Sequence, residues 1–378
     1  MSTHSAVATV GLKCPLAIIR VPTVAPTGQQ VRVRVEWTAS TPLDLHLNDG
    51  GLLVQHPQVL GDSTAGTVVQ VGPDTKRLSV GDKVFGFTWR TQAEKSHQEF
   101  CTADEWQFAR LPRGFTLEEA VTLPNNFVTV FHALTKDLGL ETPWPKPVDY
   151  LPPRADDAIL IWGGSSSVGQ FAIQILRYYG YKNILTTASQ KHHEKLRSFG
   201  AKEVLDYNDA GVVASIRARA GHVPLILDCI GSKNGSIAPI ARIAKRGTKV
   251  AVLLPVVVRD SSETEDPVYE MDVSRAATWD DGVDCRGVRT HFYHDVSMML
   301  KSDQLIQICL SNATQNDFFK QHLQPDIMPA LLQNGVVTPQ RQKIVQGTTL
   351  LERAQKAMDM LRRKEASMER LVWRVSED

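Results

Sequence analysis

The stretch Gly163-Gly164-Ser165-Ser166-Ser167-Val168-Gly169 decides how this chain is read. An apolar run, Ala158-Ile-Leu-Ile-Trp162, precedes it. A helical-looking run, Gln170-Phe-Ala-Ile-Gln-Ile-Leu-Arg-Tyr-Tyr179, follows it. Strand, tight glycine turn and helix form the arrangement in which a helix N-terminus receives a pyrophosphate. Glycines let backbone approach the ligand, and free N–H groups with the helix dipole favour negative charge. A glycine-serine turn alone is common in surface loops, so its placement between these runs gives it meaning. Ser165, Ser166, Ser167 and Val168 are the expected pyrophosphate contacts.

The same logic extends outward. Residues 181–187 read as a second parallel strand, ending at Ser189-Gln190-Lys191-His192-His193, where a dinucleotide fold grips the adenine ribose. An acidic residue there would accept a hydrogen bond from a ribose 2′-OH and favour NAD. A hydroxyl, a lysine and two histidines instead suit a 2′-phosphate, so NADPH is the expected cofactor. Lys191 is the expected charge partner, Ser189 a donor and His192 a second contact, while Lys195 reads as a solvated helix start. Residues 201–207, 225–231 and 249–254 supply further strands with helical segments between them. Such a pattern indicates a parallel sheet covered on both faces. Tyr207 either packs near the adenine or is an ordinary half-buried tyrosine.

Upstream the pattern changes. Residues 30–37, Gln-Val-Arg-Val-Arg-Val-Glu-Trp, alternate strictly, as a half-buried antiparallel strand does. Residues 60–72 and 80–86 are further strand segments punctuated by glycine. A β-domain of roughly 100–130 residues, within normal domain size, precedes the α/β domain.

The bulk numbers exclude several classes. The 378 residues suffice for two domains. A net charge of +1, from 42 Lys+Arg against 41 Asp+Glu, gives no case for nucleic acid or an anionic membrane. No apolar stretch approaches the ~20 residues of a membrane span, and residues 1–10 lack signal-peptide character, so a cytoplasmic protein is expected. Cys14, Cys101, Cys229, Cys285 and Cys309 are scattered without a CxxC pair, supporting neither a disulfide framework nor a structural zinc site.

Taken together, Thr41-Pro-Leu-Asp44, Leu60-Gly61, Ala65-Gly66-Thr-Val-Val-Gln-Val-Gly72, Val80-Gly-Asp-Lys-Val-Phe-Gly86, Leu111-Pro112, Leu123-Pro124 and the glycine turn resemble the medium-chain dehydrogenase/reductase superfamily. The resemblance spans nearly the whole chain. It implies an α/β protein: a GroES-like β-rich catalytic domain over residues 1–150, completed by 311–378, and a Rossmann domain with a doubly wound parallel sheet over 151–310. In the return segment, residues 318–335 and 349–364 read as helices and 370–375 as a closing strand.

Zinc-dependent members of that superfamily carry a Cys near Thr41–Leu43 and a Gly-His-Glu motif where this chain has Gly61-Asp62-Ser63. Zinc needs three protein ligands and an open position, and Asp62 alone cannot supply them, so no metal is expected. The proline-rich insert of residues 141–153, a stiff connection by its composition, resembles that of fungal trans-acting enoyl reductases. Those enzymes are stand-alone partners of polyketide synthases.

The resemblance implies hydride delivery to the β-carbon of an α,β-unsaturated thioester or ketone, small or carrier-bound. Charge then develops on the carbonyl oxygen, and a proton must reach the α-carbon. His46 stands where related reductases carry a lysine facing cofactor and substrate. Its imidazole, with an ordinary pKa near ~6.5, suits proton donation, with solvent as the alternative source. Asp44 orients His46, touches the cofactor or is a turn acid. Thr129 matches a threonine facing the nicotinamide or its ribose, and Val130 replaces the usual alanine beside it. Leu253 and Leu254 match positions beside the nicotinamide, and Glu369-Arg370 a cofactor edge. Gly287, Val288, Arg289, Thr290 and His291 match a substrate-lining segment, where Arg289 and His291 bind a carbonyl or carrier phosphate or simply meet solvent. Quinone reduction and non-catalytic cofactor binding are the alternatives.

Overall fold

The computed structural model describes residues 2–293 and 313–376. Cys309 and the expected boundary at 310/311 lie outside the described residues. By packing, the chain divides into two units, one taking in residues 2–128, 261–267 and 313–376, the other Thr129–Asp260 and Val268–Tyr293. The first division falls ahead of the proline-rich connection because residues 129–150 pack with the second unit. Phe131 and Tyr150 set ring edges against Tyr179 at centroid separations of 6.4 and 6.3 Å. Lys146 Nζ donates to the Tyr178 carbonyl at 2.6 Å. Residues 141–153 carry neither helix nor strand, as their proline density requires.

In the first unit, strand Gln30–Ala39 buries Val31, Val33 and Val35 and leaves Gln30, Arg32 and Arg34 less covered. It lies within a seven-stranded sheet ordered Arg341–Ile344, Glu369–Arg374, Gln30–Ala39, Ser63–Val71, Lys83–Phe87 and Phe108–Arg110, with Phe100–Asp104 also pairing along Gln30–Ala39. The closing strand Glu369–Arg374 runs antiparallel to Gln30–Ala39, setting Trp373 opposite Thr38. A smaller sheet sets Thr3–Thr9 between Ala17–Pro22 and Gln58–Val59. Helix Leu350–Arg362 is capped by Thr349, whose hydroxyl accepts from the Glu352 N–H at 3.2 Å. Arg362 clasps the buried Asp49 with Nε and Nη2, each at 2.7 Å. Ser261 donates to that same carboxylate at 2.5 Å, which ties residues 261–267 to this unit.

One helix expected over residues 318–335 is instead three pieces: Ala313–His322, a wider turn Leu323–Ile327, and Met328–Gln333. Pro325 and Pro329 lack the N–H groups that a continuous helix needs.

The second unit is built on a six-stranded parallel sheet. Its order is Glu203–Leu205, Ile184–Thr187, Ile159–Trp162, Leu225–Asp228, Lys249–Leu253 and Asp284–Val288. Every residue of Ile159–Trp162, Ile184–Thr187 and Leu225–Asp228 is buried, as strands covered on both faces must be. Numbered along the chain, the order is 3-2-1-4-5-6, the doubly wound arrangement whose ligand crevice opens beyond the ends of strands 1 and 4. Those ends are Trp162 and Asp228. The sixth strand, Asp284–Val288, places Gly287 and Val288 inside the sheet, where sequence had them only lining a pocket. Among the described residues, no helix is long and apolar enough to cross a membrane.

Candidate functional site

At the switch point, strand Ile159–Trp162 gives way to Gly163, whose φ of 87° lies in the left-handed region that glycine tolerates. The Gly163 N–H donates to Thr187 Oγ1 at 3.0 Å and the Gly164 N–H to the Thr187 carbonyl at 2.9 Å, which clamps the turn to the neighbouring strand. Ser166 caps helix Ser167–Tyr179 by accepting the Gly169 N–H at 3.0 Å. Gly169 lies so close to the turn that a Cβ there would sit 2.4 Å from the Gly163 carbonyl oxygen. Ser165, Ser166 and Ser167 are half-buried at the positive end of a thirteen-residue helix, and Val168 is buried beneath them. This cradle fits the pyrophosphate of a dinucleotide.

Beside it, Asp228 is fully buried and accepts from the N–H groups of Ile230 and Gly231 at 2.9 and 3.1 Å and from the Ser236 hydroxyl at 2.6 Å. Burial pushes its pKa up to about 6 against those hydrogen bonds. It thereby fixes the turn whose Ile230 side chain packs on Gly163. Sequence showed Asp228 only as part of an apolar run.

At the end of Ile184–Thr187, the Ser189 hydroxyl and the Tyr207 phenol lie 3.1 Å apart. Lys191 is exposed and His192 half-buried, while the His193 ring bonds the Ala188 carbonyl at 2.9 Å and holds the loop against its strand. Residues 188–193 contain no carboxylate. Tyr207 is 45% exposed, enough surface for a flat ring to cover. Lys195 stacks over Phe199 at 4.7 Å, away from this group.

Elsewhere in the second unit, Thr290 Oγ1 donates to Thr129 Oγ1 at 3.0 Å, joining two residues that sequence had placed separately. Gly287 packs on the Leu254 side chain, and Leu253 and Leu254 are both half-buried. Val130 and Val288 are buried, Arg289 is exposed and His291 half-buried. His132, one helical turn beyond Thr129, was not foreseen. Burial above all, together with the charges of Lys136 and His291, pushes its pKa down to about 3.

In the first unit, His46 is half-buried on helix Pro42–Gly50. Asp44 is buried, and its carboxylate accepts the N–H groups of Thr41 at 2.8 Å and Gly61 at 3.1 Å. That is the turn-acid arrangement. Burial raises the Asp44 pKa, while those hydrogen bonds and the charges of Arg370 and Lys95 oppose the rise. Arg370 is 4% exposed, and neither its Nε nor its Nη2 has a hydrogen-bond partner among the described residues. Burial lowers the Arg370 pKa against the charges of Asp62 and Asp44. Glu369 pairs outward with Arg341 at 3.2 Å.

The family pattern invites a zinc ion here, so the donors matter. Asp62 accepts from the Ser63 hydroxyl at 3.1 Å and from Asn125 Nδ2, so its carboxylate is already engaged by protein donors. Asn125 and Ser63 supply neither thiolate nor imidazole, and no three His, Cys, Asp or Glu side chains among the described residues are grouped to hold a metal. These residues do not fit a catalytic zinc.

Two family models match this chain: the alcohol dehydrogenase GroES-like domain over residues 27–133 and the zinc-binding dehydrogenase domain over residues 167–269. The chain belongs to the medium-chain dehydrogenase/reductase superfamily. Among curated members, the trans-enoyl reductase himH of Aspergillus japonicus is 32% identical over 208 residues, covering 54% of this chain and 59% of that protein. The trans-enoyl reductase fsa3 of a Fusarium species is 31% identical over 237 residues, covering 61% of this chain and 65% of that one. The matches thus span less than two thirds of these relatives. A putative zinc-dependent alcohol dehydrogenase from Rhizobium etli CFN 42 shares the superfamily fold with a TM-score of 0.71 at 22% identity, over 100% of both chains.

Proposed function

We propose that this protein is an NADPH-dependent, zinc-independent reductase of an activated C=C bond, in an enoyl thioester or an enone. The observation that carries the reading is Asp62, engaged by Asn125 and Ser63 at the position where zinc-dependent relatives bind their metal. Without a Lewis acid to polarise a carbonyl, hydride addition is easier at a conjugated β-carbon, from which charge delocalises onto oxygen. The similarity to proteins named trans-enoyl reductases supports the same reaction, and action in trans with a polyketide synthase extends it.

Bound NADPH would supply the hydride. Ser165, Ser166 and Ser167, with the helix N-terminus, hold the pyrophosphate. Ser189 and Lys191 hold the 2′-phosphate, and Tyr207 flanks the adenine. The Thr129 hydroxyl, steadied by Thr290, orients the nicotinamide side, and His46 gives the proton to the α-carbon.

The test is NADPH oxidation screened against a crotonyl-type thioester, a simple enone and a quinone, with NADH in parallel and zinc measured in the purified protein. Turnover of the thioester or enone with NADPH, at no stoichiometric zinc, is expected. Turnover of quinone alone overturns the substrate class, and one tightly held zinc per chain overturns the metal-free reading.

A further inference from the structure

Away from the dinucleotide turn, the second unit contains a cavity of about 510 Å³ lined by none of residues 163–169. Four cations line it against one carboxylate: Arg217, Lys233, Arg242 and Lys245 against Asp280. Arg217 stands in the last turn of helix Val212–Ala220, and its Nη2 donates to the Arg242 carbonyl, which fixes the guanidinium at the wall. Lys245 pairs with Asp280 at 2.5 Å. Lys233 and Arg242 have no carboxylate partner among the described residues.

Elsewhere on this unit Arg154, Lys182, Arg219, Arg246 and Arg275 each sit beside an acid. Four alanines, with Asn234 and Thr278, complete the wall, and Ala241 and Ala276 are buried, so a flat group can lie close to the backbone there. The cavity volume falls in the range of about 300–1,000 Å³ typical of small-molecule sites.

We infer that this cavity binds a nucleotide-sized phosphate ester, with its phosphates on Lys233 and Arg242 and its base or other flat group on the alanines. Guanidinium and ammonium groups that outnumber the single carboxylate four to one recognise a multiply charged phosphate better than any neutral ligand. The phosphate ester is either a free nucleotide or the nucleotide end of coenzyme A.

Calorimetric titration of the full chain with ADP and with coenzyme A tests this, comparing wild type with Lys233→Ala/Arg242→Ala and with Lys191→Ala. Wild type should bind at a site that the double variant weakens at least tenfold, since hydrogen bonds to charged groups carry about that much affinity, and that Lys191→Ala leaves intact. Raising salt should weaken the same site, because exposed charges are screened. Tighter binding of coenzyme A than of ADP identifies a thioester carrier as the source, and the reverse identifies a free nucleotide. Should the double variant fail to fold, Lys233→Gln/Arg242→Gln keeps the side-chain bulk and answers the same question. Either no binding by wild type, or binding that the double variant leaves unchanged, overturns the inference.

Discussion

Replacing His97 with Phe should make the protein more resistant to acid. His97 is 2% exposed, its ring lies 4.6 Å from that of Trp373, and neither ring nitrogen has a hydrogen-bond partner among the described residues. Burial pushes its pKa down to about 3, Asp62 opposing and Lys95 reinforcing the fall. Between that value and the ordinary pKa near ~6.5, the unfolded chain binds the proton that the folded one refuses. Stability is therefore complete above pH ~6.5 and drains away as pH falls toward the folded pKa. At pH 4.5, two units down, the loss is about 3 kcal/mol. Phe keeps a ring against Trp373 and cannot titrate. Urea unfolding followed by tryptophan fluorescence at pH 7.5 and 4.5 should show wild type losing about 3 kcal/mol more than His97→Phe over that interval. His132, Asp137 and Asp228 also titrate abnormally, but they are present in both proteins and cancel. Parallel losses in the two proteins would mean that the folded chain accepts the His97 proton, and would refute the reasoning.

Other perturbations probe other parts of the fold. Gly169→Ala drives a Cβ to 2.4 Å from the Gly163 carbonyl, so the turn must shift, with an overpacking cost of about 1–3 kcal/mol in melting experiments and weaker NADPH binding by fluorescence titration. Asp49→Asn removes the buried carboxylate from Arg362, which keeps Asp359 as its other partner, and should cost about 1–3 kcal/mol in urea unfolding. Lys191→Ala should narrow the gap between the NADPH and NADH dissociation constants by roughly tenfold. His46→Ala should lower kcat ~10²–10⁴-fold at unchanged NADPH affinity, with His46→Lys restoring part of it.

What the sequence shows, it shows through continuous apolar runs and glycine punctuation. Residues 158–162 and 225–231 announce buried parallel strands because both faces must be apolar. Strand Asp284–Val288 is hidden because it lies at the sheet edge, half-buried, with only Cys285 and Val288 as sizeable apolar residues. Ala17–Pro22 is equally quiet, its residues alternating between exposed and half-buried. In the candidate site, the glycine turn was legible from local chemistry alone. Asp228, His97 and His132 were not, because a side chain's burial depends on what distant segments lay over it. Arg370 shows the same limit: its position follows from the family pattern, yet its burial beside Asp44 and Asp62 is a property of the folded sheet.

Strand Glu369–Arg374 has a consequence for how the molecule comes into being. It pairs with Gln30–Ala39 across nearly the whole length of the chain. At a synthesis rate of ~5–20 residues per second, the nascent Gln30–Ala39 waits roughly 15 to 65 s for that neighbour. Through that interval the Trp37–Ala39 end of the strand stays open, Phe100–Asp104 covering only Gln30–Arg34, and Asp49 has no Arg362, a platform for holding chaperones and for premature aggregation. The six strands from Ile159–Trp162 to Asp284–Val288 come out in one nearly unbroken run and can pair as they are made. The part of the chain made first is the part completed last.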